Sequence, residues 1–201
     1  MQRKFHDIPQ NNEDWLNMRM GRFTASAFKE LFGTKTNVGY KKAIYRLAYE
    51  RLTGESPEEM FQSEYMKRGH ELEPFAVESY EERNMVETSP GGFWTLGDRI
   101  GASPDRHVGD DGMLEIKCPA YNTQIDYLLS GKLPSVYKWQ VVGQMYVADR
   151  DWVDFFSYHP KLAPLQVRVN RDEKLEGELV KTLEASIEAA EKVFNKLKGK
   201  E

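Results

Sequence analysis

Residues 101–119 read GASPDRHVGDDGMLEIKCP, and this segment carries the clearest structural pattern in the chain. Its centre, Asp-Asp-Gly at residues 110–112, is typical of a tight turn between two antiparallel strands. The second strand then carries Glu115 and Lys117 on one face, because side chains alternate along a strand, and the intervening isoleucine on the other. Pairing of the two strands would bring Asp105 back beside Glu115. The stretch therefore predicts a hairpin that gathers two carboxylates and one ammonium group.

This combination of side chains has a specific chemical use. Asp105 and Glu115 offer hard oxygen ligands for Mg²⁺, the backbone carbonyl of Ile116 can add a third, and positions remain for water and a phosphate oxygen. Such a metal polarises the phosphate and lowers the pKa of bound water, and Lys117 can orient that water or take its proton. A surface hairpin with an ordinary Glu–Lys ion pair would contain the same residues. The apolar neighbours in the strand favour the metal site, since buried charges are costly without partners.

Composition narrows the classes of protein. The chain has 201 residues, of which 40% are hydrophobic and 30% charged, which is typical of one soluble globular domain spanning 1–201. The single cysteine, Cys118, excludes an intrachain disulfide framework and a cysteine-ligated zinc or iron–sulfur site within one subunit. We find neither a membrane-spanning stretch nor a signal peptide, so the expected location is the cytoplasm.

Helical and strand patterns alternate along the rest of the chain, without an internal repeat. Helices are predicted around Phe28 to Gly33 and over residues 41–52, 72–83, 137–147 and 175–197. Pro74 is expected in the first turn of the helix over 72–83. Strands are predicted at residues 93–96, 99–102, 112–117, 152–158 and 166–169. The expected fold class is α/β, with a small central mixed sheet flanked by helices.

Several blocks of sequence resemble one known family. The spacing P-D-x9-E-x-K, with the strand LEIKCP at residues 114–119, resembles the PD-(D/E)xK nuclease superfamily. The blocks WLNMRMGRFTAS (residues 15–26), RGHELEPFA (68–76) and WQVVGQMY (139–146) are similar to those of the phage lambda exonuclease family, also called YqaJ-like viral recombinases. The similar blocks follow the family's order over nearly the whole chain. The resemblance implies a PD-(D/E)xK nuclease-like core.

The resemblance adds Glu73 and Gln140 to the expected site. It makes Glu73, at the predicted start of a helix, a further acidic residue of the metal site. It places Gln140 at the active site, in contact with DNA or with a water near the metal. Gln144 lies four residues further on, on the same helix face, and Val142 stands where the family usually has a glutamine. Judged alone, each of these polar residues would be an ordinary solvent-facing helix residue.

The resemblance also implies a phosphate-binding site near the N-terminus. Arg19 and Ser26 match family positions that bind phosphate, including a terminal 5′-phosphate. A guanidinium can grip a phosphate with two hydrogen bonds, and a hydroxyl at a helix start lies among free backbone N–H groups. Arg22 is expected to extend the contact along the DNA backbone. Without the resemblance, a surface arginine and a helix-capping serine would explain the same residues.

The family implies a complete reaction for this chain. It would be a Mg²⁺-dependent exonuclease, with Mn²⁺ as a substitute, that degrades linear double-stranded DNA 5′ to 3′. The products would be 5′-mononucleotides and a 3′ single-stranded tail for phage-type recombination. Family members form a homotrimeric ring around DNA and work with a single-strand annealing protein. The expected setting is the cytoplasm of a bacterial host, with a phage or prophage origin and no membrane association.

Two alternatives remain open from the sequence. The first is a structure-specific or restriction-type endonuclease with the same core. The second is a non-catalytic scaffold that binds DNA ends in recombination; Asp105, Glu115 and Lys117 occurring together argue against it. A covalently closed circular duplex separates the first from an exonuclease, because an enzyme that needs an end leaves the circle intact.

Overall fold

The chain folds into two β-sheets flanked by helices, and a computed structural model describes residues 1–34, 36–57 and 64–199, with only the backbone course for 64–66. The strands are β1 (Arg3–His6), β2 (Phe23–Thr24), β3 (Ser89–Pro90), β4 (Phe93–Leu96), β5 (Ile100–Ala102), β6 (Arg106–Val108), β7 (Gly112–Lys117), β8 (Trp152–His159) and β9 (Leu162–Asn170). The helices are α1 (Glu13–Arg19), α2 (Phe28–Leu31), α3 (Val38–Thr53), α4 (Glu64–Asn84), α5 (Tyr121–Ser130), α6 (Lys138–Ala148) and α7 (Glu173–Lys198). Short 3₁₀ turns occur at Ala25–Ala27 and Ser135–Tyr137. The predicted α/β class is confirmed.

The sheet that contains the predicted hairpin has the strand order β3-β6-β7-β8-β9, and the other sheet has the order β1-β4-β5-β2. Strands β6 and β7 pair antiparallel, with Arg106 opposite Leu114, as the Asp-Asp-Gly turn predicts. Strands β7 and β8 pair in parallel, whereas the neighbouring β8 and β9 are antiparallel, so the sheet is mixed. A parallel pair needs a crossover connection, and α5 and α6 supply it.

The hairpin sheet is covered by a helix on each face. On one face Met113 of β7 packs with Val141 and Met145 of α6. On the other face Leu114 and Ile116 of β7, together with Phe156 of β8, pack with Ala76 and Tyr80 of α4. This alternation along β7 is the one that the sequence predicts. It turns Glu115 and Lys117 toward the face covered by α6, and Ile116 toward α4.

A second core lies between the other sheet and helices α2, α3, α6 and α7. The predicted apolar stripe of α7 contributes Leu179, Leu183 and Ala190 to it. Helix α6 approaches the N-terminal region closely at Gly143, where an added Cβ would lie 2.4 Å from the Phe28 ring. Within the described ranges, no helix has both the length and the apolar character that crossing a bilayer requires. The core therefore holds the N-terminal region against the helix that covers Glu115.

Some elements differ from the sequence-based expectations. Helix α4 begins at Glu64, before the predicted residue 72, so Pro74 lies inside the helix rather than in its first turn. Most residues in the turns on either side of Pro74 are good helix formers, so the helix continues through this position although proline has no backbone N–H. Strand β1 and helix α5 were not predicted. Helix α5 follows Pro119 directly, and Ala120 at its N-cap makes no side-chain hydrogen bond there, so the usual start signal is missing.

Candidate active site

The hairpin of β6 and β7 brings the predicted acids and the lysine together. The Asp105 carboxylate accepts a hydrogen bond from the backbone N–H of Ile116, with 2.6 Å between Oδ2 and N. One strand position away, the Lys117 ammonium donates to Oε1 of Glu115. Glu115 carries a charge, yet its side chain is only 1% exposed. The register of the hairpin therefore places both carboxylates and the ammonium around one end of β7.

Helix α6 holds the Glu115 carboxylate from the opposite side. The Gln140 side-chain amide donates to Oε1 of Glu115 at 2.6 Å, and the Gln144 amide donates to Oε2 at 2.5 Å. Gln144 is buried, and its own Oε1 has no hydrogen-bond partner among the described residues. The sequence pointed to Gln140 and left Gln144 without a role. The four-residue spacing of two glutamines is the signal that could have identified the second one.

A cleft opens beside these residues. It consists of two adjoining cavities of about 540 and 460 Å³. Both are lined by Glu73, on α4, and by Asp105. Lys117, Ile116 and the neighbouring Tyr137 and Cys118 line the smaller cavity. The structure thus brings Glu73 to the same cleft as the hairpin residues, from a helix on the other face of the sheet.

Negative charge exceeds positive charge in this cleft. Burial, followed by the Glu115 carboxylate, raises the pKa of Asp105 well above its usual value. Burial also raises the pKa of Glu73, and although His70 works against this, the Glu115 charge adds to the rise. For Lys117, burial lowers the pKa, but the carboxylates of Glu115 and Asp105 outweigh it and the pKa is raised. Lys117 is therefore an ammonium at neutral pH in this arrangement, and the three acids outnumber the two cations, Lys117 and Arg106, that line the cleft.

The donor atoms suit a hard divalent cation. Within the part of the chain that the structure describes, no three His, Cys, Asp or Glu side chains already surround one point as a metal-binding group. Burial raises the pKa of both Asp105 and Glu73, and the Glu115 charge adds to the rise; a divalent cation bound beside these acids would favour their charged forms. Carboxylate oxygens from Asp105, Glu115 and Glu73, with the Ile116 carbonyl, form the all-oxygen set that Mg²⁺ prefers. These residues fit such an ion by charge and by chemistry.

Arg19 and Ser26 lie together, apart from the acids. The Arg19 guanidinium donates to the Ser26 hydroxyl at 3.4 Å and lies over the Trp15 ring, 4.4 Å from its centre. The Trp15 indole N–H donates in turn to the hydroxyl of Ser103 at 2.9 Å, two residues before Asp105. Ser26 lies inside a 3₁₀ turn rather than at the predicted helix cap. A short chain of contacts thus connects the Arg19–Ser26 pair to the acidic hairpin.

Arg22 is placed differently from the other predicted phosphate ligands. Its guanidinium donates to the carbonyl of Met18 at 2.9 Å, in the last turn of α1. The residue is half-buried and lines a separate cavity with Glu50 and Asp98. Burial lowers the pKa of Arg22. The structure does not bring Arg22 to the Arg19–Ser26 pair, because its hydrogen bonds close the end of a helix.

The fold and the carboxylate–lysine site define a nuclease. The structure is similar to the crystal structure of an alkaline exonuclease (LHK-Exo) from Laribacter hongkongensis, with a TM-score of 0.85 and 31% sequence identity. The match covers 94% of this chain and 97% of that one, and a structure of LHK-Exo in complex with dAMP matches equally well. A phage-related exonuclease from Haemophilus somnus 129PT shares the fold, with a TM-score of 0.64 and 16% identity over 89% of this chain and 96% of that one.

The family model of the YqaJ-like viral recombinase domain matches residues 14–151, and the chain belongs to this family. No curated protein sequence is significantly similar to the chain. The resemblance seen in the sequence blocks is thereby confirmed. Family, fold and site together make the protein a deoxyribonuclease of the exonuclease type, in a family that generally uses divalent metal ions and is associated with viral recombination.

Proposed function

We propose that the protein degrades linear double-stranded DNA from its 5′ ends in a Mg²⁺-dependent reaction, with Mn²⁺ as a substitute. It would release 5′-mononucleotides and leave a 3′ single-stranded tail for recombination. The observation that carries the proposal is the convergence of Asp105, Glu115 and Lys117 at one end of β7. The similar alkaline exonuclease has been crystallised with dAMP, a deoxynucleoside monophosphate, which is the kind of product that such a reaction forms.

The side chains divide the work of hydrolysis. Asp105, Glu115, the Ile116 carbonyl and Glu73 would hold Mg²⁺, which when bound polarises the phosphate and lowers the pKa of a coordinated water. The Lys117 ammonium orients the attacking water and offsets charge that develops on the phosphate oxygens. Water attacks phosphorus in line with the 3′ oxygen and gives up a proton to solvent. The P–O3′ bond breaks, the 3′ oxygen takes up a proton from solvent to become a hydroxyl, and the departing nucleotide keeps its 5′-phosphate. Gln140 keeps the Glu115 carboxylate in place through its hydrogen bond to Oε1.

Arg19 and Ser26 would hold the terminal 5′-phosphate. The guanidinium is planar and carries several donors, and its position over Trp15 limits the rotamers that it can adopt. The Ser26 hydroxyl lies within hydrogen-bond distance of it, so both groups can contact one phosphate. Every cleavage creates a new 5′-phosphate, which the same pair can hold again. Arg22 would contribute only at the edge of this contact.

The proposed assembly and partners are those that the resemblance to the family implies. We expect a single nuclease domain over residues 1–201 that forms a homotrimeric ring around the duplex. A single-strand annealing protein would cover the exposed 3′ strand, in the cytoplasm of a bacterial host that carries the phage or prophage. Contacts made to phosphates rather than bases predict activity that is independent of sequence and falls as salt rises.

A digestion assay tests the proposal. A linear duplex labelled at either end, with and without 5′-phosphates, is incubated with the protein in Mg²⁺, in Mn²⁺ or in EDTA, beside the Lys117→Ala variant. We expect release of the 5′ label first, preference for the phosphorylated end, and no activity in EDTA or in the variant. A closed circular duplex serves as the control. Cutting of the circle would favour the endonuclease alternative, and binding of ends without cleavage would favour the scaffold.

A further inference from the structure

A second buried acid lies on the strand beside the site, on the opposite face of the sheet. Asp154 of β8 is 0% exposed, and its two oxygens accept four hydrogen bonds. Arg168 of β9 supplies two of them, each at 2.8 Å. Gln166 of β9 and the Tyr80 hydroxyl of α4 supply the others, at 3.0 and 2.7 Å. None of these residues touches the cleft, so the network has no part in the chemistry described above.

This network attaches the C-terminal half of α4 to strands β8 and β9. Tyr80 is 1% exposed, and its ring meets Phe156 of β8 edge-on, with 5.4 Å between ring centres. One turn further along the helix, Asn84 exchanges hydrogen bonds with Gln166. Since Gln166 also donates to Asp154, two side chains of α4 are bound to one polar cluster. The cluster thus fixes both the rotation of the helix and its position along the sheet.

Glu73 lies on the same helix face as Tyr80. The two residues are seven apart, which is two turns of an α-helix, or about 10 Å along its axis. Pro74 lies between them and removes the N–H that would have bonded the carbonyl of residue 70. The α4 residues of the packed cluster, Ala76, Val77 and Tyr80, all follow Pro74. The placement of Glu73 in the cleft therefore depends on the anchored half of the helix.

We infer that Tyr80, held by Asp154, is a positioning residue for the metal site and acts through Glu73. The inference rests on the proposed function, in which Glu73 contributes to holding Mg²⁺. The Tyr80 hydroxyl sets the rotation of α4, and that rotation sets how closely the Glu73 carboxylate approaches Asp105 in the cleft. Loss of the hydroxyl leaves the ring packed but removes the hydrogen bond that defines the angle.

The test is a double-mutant cycle with Tyr80→Phe, Glu73→Gln and the two combined. Mn²⁺ binding to the DNA-free protein is measured by calorimetry, and the half-saturating Mn²⁺ concentration is measured in the digestion assay. Tyr80→Phe should weaken Mn²⁺ binding by about tenfold, the size typical for residues that orient a metal ligand. In the Glu73→Gln background the same change should weaken it no further. Tyr40→Phe, at a buried tyrosine of α3, is the matched control and should leave binding unchanged.

The outcomes separate the two proposals. If Glu73→Gln weakens Mn²⁺ binding and Tyr80→Phe weakens it equally in both backgrounds, the positioning role is overturned while the metal site stands. If Glu73→Gln leaves Mn²⁺ binding intact, the assignment of Glu73 fails, and the role of Tyr80 fails with it. Circular dichroism confirms that each variant is folded. Should Tyr80→Phe not fold, Gln166→Met removes the link between Asp154 and Asn84 and makes the same comparison.

Discussion

Glu115 and Asp154 are two buried acids on neighbouring parallel strands, yet their surroundings differ completely. Asp154 faces α4 and receives two hydrogen bonds from Arg168. Glu115 faces α6, and it shares a single lysine with other acids while two glutamine amides hold it. The charge of Asp154 is balanced within its own cluster. The acids around Glu115 outnumber the one lysine that pairs with it. Burial, followed by the Glu115 charge, raises the pKa of Asp105, and burial raises that of Glu73.

The contrast separates stability from chemistry within one sheet. A buried acid with a matched arginine and a full set of hydrogen bonds lowers the free energy of the folded state relative to a broken pair. A group of acids without enough positive charge is costly to fold and useful only if a cation or a substrate completes it. Substitutions at the two sites should therefore have opposite effects on stability and activity.

The largest effect is expected from Glu115→Gln. The amide keeps the size of the side chain but loses the charge that would hold a divalent cation. Activity on linear duplex should fall by about a thousandfold or more, the scale of metal and acid–base catalysis. Thermal stability should fall less than in a variant of the arginine-paired Asp154, because the change removes the ion pair with Lys117 but also removes the repulsion between Glu115 and Asp105. Glu178→Gln, at an exposed position of α7, is the control and should keep full activity. Comparable activity of Glu115→Gln and the parent would contradict the proposed site.

Asp154→Asn should show the reverse pattern. The variant loses the charge that pairs with Arg168, and urea unfolding should report a loss of about 2–4 kcal/mol. The lower part of this range is favoured because the Arg168 side chain is 50% exposed, so its charge stays partly in water. The turnover rate at saturating Mn²⁺ should fall far less than in Glu115→Gln. Asp126→Asn, on the exposed face of α5, provides the matched control for stability.

Asp105→Asn should stabilise the metal-free protein while abolishing its activity. The raised pKa means that folded Asp105 binds its proton more tightly than the unfolded chain does. The bound proton therefore stabilises the folded protein below the ordinary carboxyl pKa, and this contribution is lost as the pH rises through the raised pKa of folded Asp105. In EDTA the variant should therefore unfold roughly 2–4 °C above the parent at pH 8, and near the parent temperature at pH 4. Added Mg²⁺ should raise the unfolding temperature of the parent alone. A variant less stable than the parent at pH 8 would mean that burial and the Glu115 charge do not raise the pKa of Asp105.

The smallest effect is expected at Cys118, which follows Lys117 and lines the cleft. Burial, and next the Glu73 carboxylate, raise the pKa of this thiol to about 12. At pH 8 only roughly one thiol in ten thousand is then a thiolate, so iodoacetamide should modify the folded protein very slowly. Mass spectrometry follows the reaction, with the urea-unfolded chain as the control. Cys118→Ala should keep nearly all nuclease activity. Rapid alkylation of the folded protein would show that the thiol is not shielded as the structure indicates.

The hairpin was predictable because its signals are local. The turn at residues 110–112 and the alternation along β7 fix which side chains share a face, and the structure has this register. Gln140 came from the resemblance rather than from its own chemistry. Gln144 was left without a role because its spacing from Gln140 indicates a shared helix face but not which strand that face covers.

The remaining features depend on contacts between distant segments. Asp154 and Arg168 lie opposite each other in the β8–β9 hairpin, 14 residues apart in the sequence, and Tyr80 reaches Asp154 from 74 residues away. Neither pairing leaves a periodic pattern in the sequence. The length of α4 was underestimated because Pro74 usually marks a helix start, and here the helix passes through it. Arg22 was expected to extend the phosphate contact proposed for Arg19 and Ser26; in the structure its guanidinium donates to the Met18 carbonyl in the last turn of α1.

The contact of Trp15 with Ser103 has a consequence for the length of each product. Trp15 supports Arg19 on one side and is tied to the segment before Asp105 on the other. If Arg19 binds the strand terminus as proposed, these two contacts set the distance from the bound terminus to the point of hydrolysis. This fixed distance would make every cut remove the same number of nucleotides, whatever bases they contain.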